Sequence, residues 1–178
     1  MEYYNRARVS GRIREPLLIR QGEPFVRIEI ARNSGILDFA DIVFGASLPE
    51  GLAAGDRLAV SGFLRASDTE GGRLLVCIVP ERTENDAEDC NELALSGALC
   101  RRGALRSLRL DRMICSFALA QGRNHIPCVG WGEDAKRVAR AKLGANIKLS
   151  GRLQSRIYQK DGRERETFEV CCINIDLP

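Results

Sequence analysis

The chain has 178 residues, 44% hydrophobic and 29% charged, with 27 basic side chains against 24 acidic. That length suits one ordinary domain or two small ones, and the apolar content is high enough for a packed core, which excludes wholesale disorder. No run approaches the roughly 18 apolar residues of a membrane span, no apolar stretch of a secretory signal opens the chain, and seven cysteines argue for free thiols rather than a closed disulfide framework.

In chain order, residues 8–13 alternate as a half-buried strand does and contain Gly11, of the kind that marks a bulge or sharp bend. Strand patterns follow over 24–31 and 40–44. Residues 48–54 stand where a helix would fit, but Pro49 and Gly51 leave it short or absent. Two strands joined at Gly71-Gly72 then run to Val79-Pro80. Residues 81–92 carry six acids against Arg82, and the stretch 81–90 reads as an acidic linker. The pattern then repeats. Residues 92–99, 113–120 and 125–131 read as strands, and 134–143 as a helix stopped by Gly144. Two further strands are joined by Lys160-Asp161-Gly162-Arg163.

The two halves match in order. Val9-Ser10-Gly11-Arg12-Ile13 parallels Leu95-Ser96-Gly97-Ala98-Leu99 at an offset of 86, and Val43-Phe44-Gly45 parallels Gly130-Trp131-Gly132 at 87. Residues 58–64 parallel 147–153 at 89, and Val79-Pro80 parallels Leu177-Pro178 at 98. Offsets that only increase predict a duplication with insertions in the second copy. Three strands, a helical connection and two strands describe a five-stranded Greek-key barrel of the OB type; a small α+β sandwich fits the same pattern. The expected fold is all-β, two tandem OB barrels over 1–80 and 91–178, with a short helix in the second.

Charge separates the copies. Residues 1–80 hold ten arginines and ten acids, whereas 93–178 hold sixteen basic groups and eight acidic ones. A polyanionic partner for the second half is one reading; a solubilising surface is the other. On the strand 149–160, Arg152, Arg156, Tyr158 and Lys160 share the face opposite Leu149 and Leu153. Cations that track phosphates beside a ring that stacks on bases are what single-strand binders use, although a Tyr packed on arginine stems gives the same pattern. On 125–131, Trp131, the one tryptophan, and His125, the one histidine, share a face with Pro127 and Val129. Trp131 fits a stacking platform or a core position. Pro127 donates nothing to a ladder, so pairing is expected to lapse there and leave His125 less firmly placed, near Arg123 in the preceding loop. In the first copy Phe44 stands for Trp131 and Asp38 for His125, while Ser67, Thr69 and Gly71 replace Arg156, Tyr158 and Lys160.

No Gly-rich phosphate loop with Lys, nucleophile elbow or cysteine pair at the short spacing of a zinc knuckle is present, so neither an enzyme, a metal site nor a cofactor is expected. Cys171 and Cys172 are adjacent, which sends them to opposite faces of a strand.

Residues 91–178 resemble the bacterial single-stranded DNA-binding protein family. The resemblance is carried by Cys128-Val129-Gly130-Trp131-Gly132, by Gly151-Arg152-Leu153-Gln154-Ser155-Arg156-Ile157-Tyr158 and by Glu166-Thr167-Phe168-Glu169-Val170. It implies stacking roles for Trp131 and Tyr158, with His125 where a further stacking aromatic often stands. It also implies four OB domains per assembly, reached here by a homodimer. Family members usually end in an acidic tail that recruits replication and repair proteins. This sequence reads to Asp176-Leu177-Pro178, so recruitment is expected to be absent or to fall to the first copy. The expected function is largely sequence-independent binding of single-stranded DNA in replication, recombination or repair, in the cytoplasm with the nucleoid. The binding residues are Trp131, Tyr158, Arg152, Arg156, Lys160, His125 and Arg123. The alternative is an OB-fold interaction module without DNA affinity of its own.

Overall fold

A computed structural model of the chain describes residues 3–20, 22–45, 48–68 and 74–177, with the backbone alone for Arg20, Asp68, Leu74 and Lys160. Strands β1 (Asn5–Arg20), β2 (Glu23–Ala31), β3 (Leu37–Val43), β4 (Arg57–Asp68) and β5 (Leu74–Thr83) pair around a complete ring, β1 meeting β2 and β4, and β3 closing on β5. A second ring contains β6 (Cys90–Arg102), β8 (Met113–Gln121), β9 (Asn124–Trp131), β10 (Asn146–Lys160) and β11 (Arg163–Asp176). A two-residue strand, β7 (Arg106–Ser107), edges β8 within the loop that follows β6. In each ring one parallel contact, β3 to β5 or β9 to β11, closes an otherwise antiparallel sheet, as an OB barrel requires.

Alternation builds both interiors. Val9, Ile13, Ile28, Ile42, Leu64 and Ile78 fill the first, and Leu95, Leu99, Leu119, Ile126, Leu153 and Val170 the second, all fully buried. A β-bulge lies at the same point of each ring: Glu81 of β5 is the extra residue opposite the step from Ser61 to Gly62 on β4, and Ile173 of β11 is the extra residue opposite the step from Ser150 to Gly151 on β10. A Cβ at Gly151 would run into the Cys171 carbonyl oxygen, and one at Gly62 into that of Val79, so each strand can bend over its neighbour only with glycine there.

The registers revise the alignment of the copies. Ile13 pairs with Ile28 and Leu99 with Leu119; Ile42 pairs with Ile78 and Cys128 with Val170. Equivalent residues therefore stand 86 apart on the first strand, 91 on the second and 86 again on the third, so the offsets rise and fall back. A longer loop after β6 adds residues. The hairpin then removes the same number: Leu119 and its partner Ile126 are seven residues apart, where the equivalent Ile28 and Ala40 are twelve apart. Hence Phe39, not Asp38, stands where His125 does, and Gly45, not Phe44, stands where Trp131 does. Pro80, paired with Gly62, corresponds to Cys172, paired with Gly151, rather than to Pro178.

The helix α1 (Gly132–Arg140) opens directly after Trp131 and ends before the expected boundary, because Ala141 turns to extended backbone while its N–H still bonds the Arg137 and Val138 carbonyls. Residues 48–54 form no helix. The ladder with β8 runs unbroken through Pro127, paired with Ala118, to His125, paired with Ala120, so pairing does not lapse there. The missing donor is accommodated on the other side, where the ladder with β11 starts only at Cys128.

Of residues 81–90, the first three complete β5 and Cys90 opens β6. Three of the four acids between are pinned to the first ring: Asp86 to Arg8 at 2.6 Å, Asp89 to Arg57 at 2.9 Å and Glu84 to the Ser61 hydroxyl at 2.6 Å. The two rings join by antiparallel pairing of β1 with β6, from Asn5 opposite Leu95 to Ser10 opposite Cys90. Ala7 and Leu93, themselves 86 apart, face each other in this ladder, so a pseudo-two-fold axis passes between them. Its signature is a matched pair of clamps. The Asn5 amide donates to the Leu64 carbonyl and accepts from the Leu64 N–H, and Asn91 does the same with Leu153.

Candidate nucleic-acid interface

On β11, residues 165, 167, 169 and 171 face outward, away from the core positions Phe168 and Val170. Their cross-strand partners on β10 are Tyr158, Arg156, Gln154 and Arg152, in that order. Cys171 also lies beside Val129 of β9, and Pro127 and Glu169 line one surface depression. One outer face of the second barrel thus runs from Trp131 at one end, past Arg152 and Arg156, to Tyr158 at the other. Arg152, level with Cys171, and Tyr158 are six residues apart on β10, about 20 Å at the usual strand rise.

Trp131 is half-buried, and the Arg112 guanidinium lies 4.9 Å from its ring centre, an ordinary cation–π distance. A hydrogen bond with the indole and the nearby Arg152 charge both favour the Cys171 thiolate, but burial outweighs them and pushes that thiol's pKa up. His125 and Arg123 are exposed and Tyr158 is half-buried. Arg156 is about half-exposed (47%), 3.7 Å from Glu169, whose carboxylate is nearly buried and accepts from the Gln154 amide at 3.2 Å. The side chain of Lys160 lies outside the described residues, as do Thr69 and Gly71.

Arg152 is placed differently from Arg156. Its guanidinium lies 3.4 Å from Asp38 of the first barrel, whose side chain is 2% exposed and is also held by Arg32 and by the Asn91 amide. The site residue nearest the junction is thereby tied into it. The corresponding face of the first barrel is more completely occupied. Arg27 bonds Asp41 with both ends of its fork, bonds Glu166 at 3.0 Å and lies 5.5 Å from the Phe168 ring centre. Burial disfavours the Arg27 charge, yet the two carboxylates more than offset it and its pKa is raised. Elsewhere on the first barrel Arg8 and Arg14 are paired with Asp86 and Glu29, and Arg12 donates to the Gly55 carbonyl.

A further basic element, not singled out from the sequence, flanks this face. Arg101, Arg102, Arg106, Arg109 and Arg112 are all exposed on the end of β6 and the loop after it, with Asp111 as the one acid among them. Arg102 donates to the Ala139 carbonyl at the end of α1, which fixes one base of the loop, while Arg112 on Trp131 fixes the other. Five arginines in twelve residues were the available signal; it carries no strand periodicity and so escapes a reading built on alternation. Among the described residues no group of three or more His, Cys, Asp or Glu could hold a metal ion, and all seven cysteines are free thiols. No helix of the described residues is long and apolar enough to cross a membrane.

Comparison with known proteins agrees with this geometry. The model of the single-strand binding protein family matches residues 90–178. Single-stranded DNA-binding protein 3 of Streptococcus agalactiae serotype V is 30% identical over 100 residues, covering 49% of this chain and 72% of that protein. Single-stranded DNA-binding protein 1 of Streptococcus agalactiae serotype III is 31% identical over 87 residues, and the chain spans 53% of its length. The crystal structure of the wild-type single-stranded DNA binding protein from Thermus aquaticus superimposes with a TM-score of 0.78 at 17% identity, covering 100% of this chain and 94% of that one, which extends the likeness of fold to the first barrel. The chain belongs to the single-strand binding protein family.

Proposed function

We propose that this chain is a non-enzymatic, largely sequence-independent binder of single-stranded DNA that serves replication, recombination or repair beside the nucleoid in the cytoplasm. The observation that carries the reading is the outer face of the second barrel. It has a ring at each end, Trp131 and Tyr158, exposed cations between and beside them, and lies within the half that the family model matches. Bases stack on the two rings and on His125. Arg156, Lys160, Arg123 and the arginines of residues 101–112 neutralise phosphates, and Arg152 serves chiefly to hold the junction. Stacking is tolerant of sequence because every base has a π-face. In this reading residues 1–80 form a first barrel, 81–90 a connector and 91–178 the binding barrel, and two chains assemble into a homodimer with four barrels.

The ion-paired outer face of the first barrel favours a second role for that half: it is structural, or docks replication and repair proteins, rather than binding DNA. Titrating the protein with oligo-thymidine while following Trp131 fluorescence tests the main reading. Saturable quenching that fades with salt supports it. Absence of both quenching and binding would leave the chain an interaction module instead.

A further inference from the structure

Between the hairpin β10–β11 and the arginine-rich loop lies a depression of about 260 Å³ whose lining includes Arg101, Arg102, Pro127, Arg156 and Glu169. Its composition is unusual for a groove that tracks a polyanion. Three arginines suit phosphates; a nearly buried carboxylate, 8% exposed, repels them. That carboxylate is compatible with a bound strand if a base edge, rather than the backbone, turns toward it. Each carboxylate oxygen has two lone pairs, and the Gln154 amide and the Arg156 guanidinium leave acceptor capacity on both. The hydroxyl oxygen of Thr167, on the same outward face and paired across the ladder with Arg156, is buried without a hydrogen-bond partner among the described residues.

We propose that this depression is a base-reading subsite that prefers guanine. Of the four bases, guanine alone presents two adjacent N–H donors, N1–H and the N2 amino group, next to an acceptor, O6. A carboxylate flanked by a guanidinium is the complement of that edge. Glu169 accepts from N1 and N2 while Arg156 or Arg101 donates to O6. Single-stranded bases are splayed so that their Watson–Crick edges can be read in this way, and Arg is a frequent donor to guanine. The volume suits one base, below the range of pockets for drug-sized ligands. The inference rests on the single-strand binding reading and adds a local preference to an otherwise tolerant face.

The test compares three long thymidine oligomers, one unmodified, one carrying isolated guanines and one carrying inosine, which lacks only the N2 amino group, at the same positions. Trp131 fluorescence reports binding. The expected result is binding about fivefold tighter with guanine than with inosine, well within what a bidentate pair discriminates. In Glu169→Gln, nearly the same shape but with one acceptor exchanged for a donor, the guanine-to-inosine ratio falls toward one. The ratio is the readout, because removing a negative charge strengthens binding to every oligomer. Equal affinity for guanine and inosine in the unmodified protein would overturn the subsite while leaving single-strand binding intact. Failure of all three oligomers to bind would overturn the underlying reading itself.

Discussion

Replacing Arg156 and Arg152 separately by Gln distinguishes two cations that look equivalent in sequence. Each phosphate contact on a single strand contributes about −0.7 to the slope of log affinity against log salt. Losing one contact therefore removes a factor of roughly 2.6 from the loss of affinity between about 50 and 200 mM salt, since that range is fourfold. Arg156 is half-exposed and 3.7 Å from its acidic neighbour, so Arg156→Gln is expected to reduce the slope by that amount with little change in stability. Arg152 faces Asp38 across the junction, and the Asp38 carboxylate keeps Arg32 when Arg152 is gone. Arg152→Gln is expected to leave the slope unchanged and to cost about 1 kcal/mol of unfolding free energy. The assay is equilibrium titration with oligo-thymidine at several salt concentrations, alongside urea unfolding of each variant. Equal loss of slope in both variants would refute the assignment of Arg152 to the junction.

Trp131→Ala and Tyr158→Ala should each weaken oligonucleotide binding by about 1–3 kcal/mol without altering the far-ultraviolet circular dichroism, with a labelled oligonucleotide as the reporter for both variants. Asn91→Ala removes a donor and an acceptor from the Leu153 backbone and should lower stability by about 2–3 kcal/mol, and Asn5→Ala, its pseudo-symmetric counterpart, by a similar amount. Gly151→Ala should prevent the barrel from closing over Cys171, seen as loss of the cooperative unfolding transition. Burial pushes the Cys77 thiol from 9.0 up to about 11, because the charged form is disfavoured where Phe25 and Val43 pack over it, outside the main core that holds its neighbours Val76 and Ile78. The unfolded chain then loses this proton first as pH rises. Stability is fully present below about pH 9 and falls by about 2–3 kcal/mol by about pH 11, a decline that should be smaller in Cys77→Ala.

The barrels were legible because alternation and glycine placement are local. Leu149, Gly151 and Leu153 face inward as their spacing implies, and Gly62 and Gly151 mark the same bulge in both copies. The register of the third strand was not, because a longer loop and a hairpin shorter by the same number of residues cancel and leave similar tripeptides one residue out of step. Docking of the barrels was also hidden. Nothing in the pattern of Asp38, Arg27 or Arg152 distinguishes a side chain facing solvent from one facing the neighbouring barrel, since both require a charge pointing outward. The loop arginines escaped for the opposite reason: their signal is density, not period.

The axis between Ala7 and Leu93 carries a consequence for how such a protein can change. In a symmetric pair made from one polypeptide, every substitution at the interface is made twice, so an acid opposite its own image is penalised on both sides. Here the two sides are encoded separately. Asp38 and Asn124 occupy equivalent positions, yet one supplies a charge to Arg152 and the other bonds the Ala66 N–H and the Leu64 carbonyl. Covalent continuity also keeps the halves together at any dilution. Each half is thus free to drift toward its own task while the joint they share stays closed.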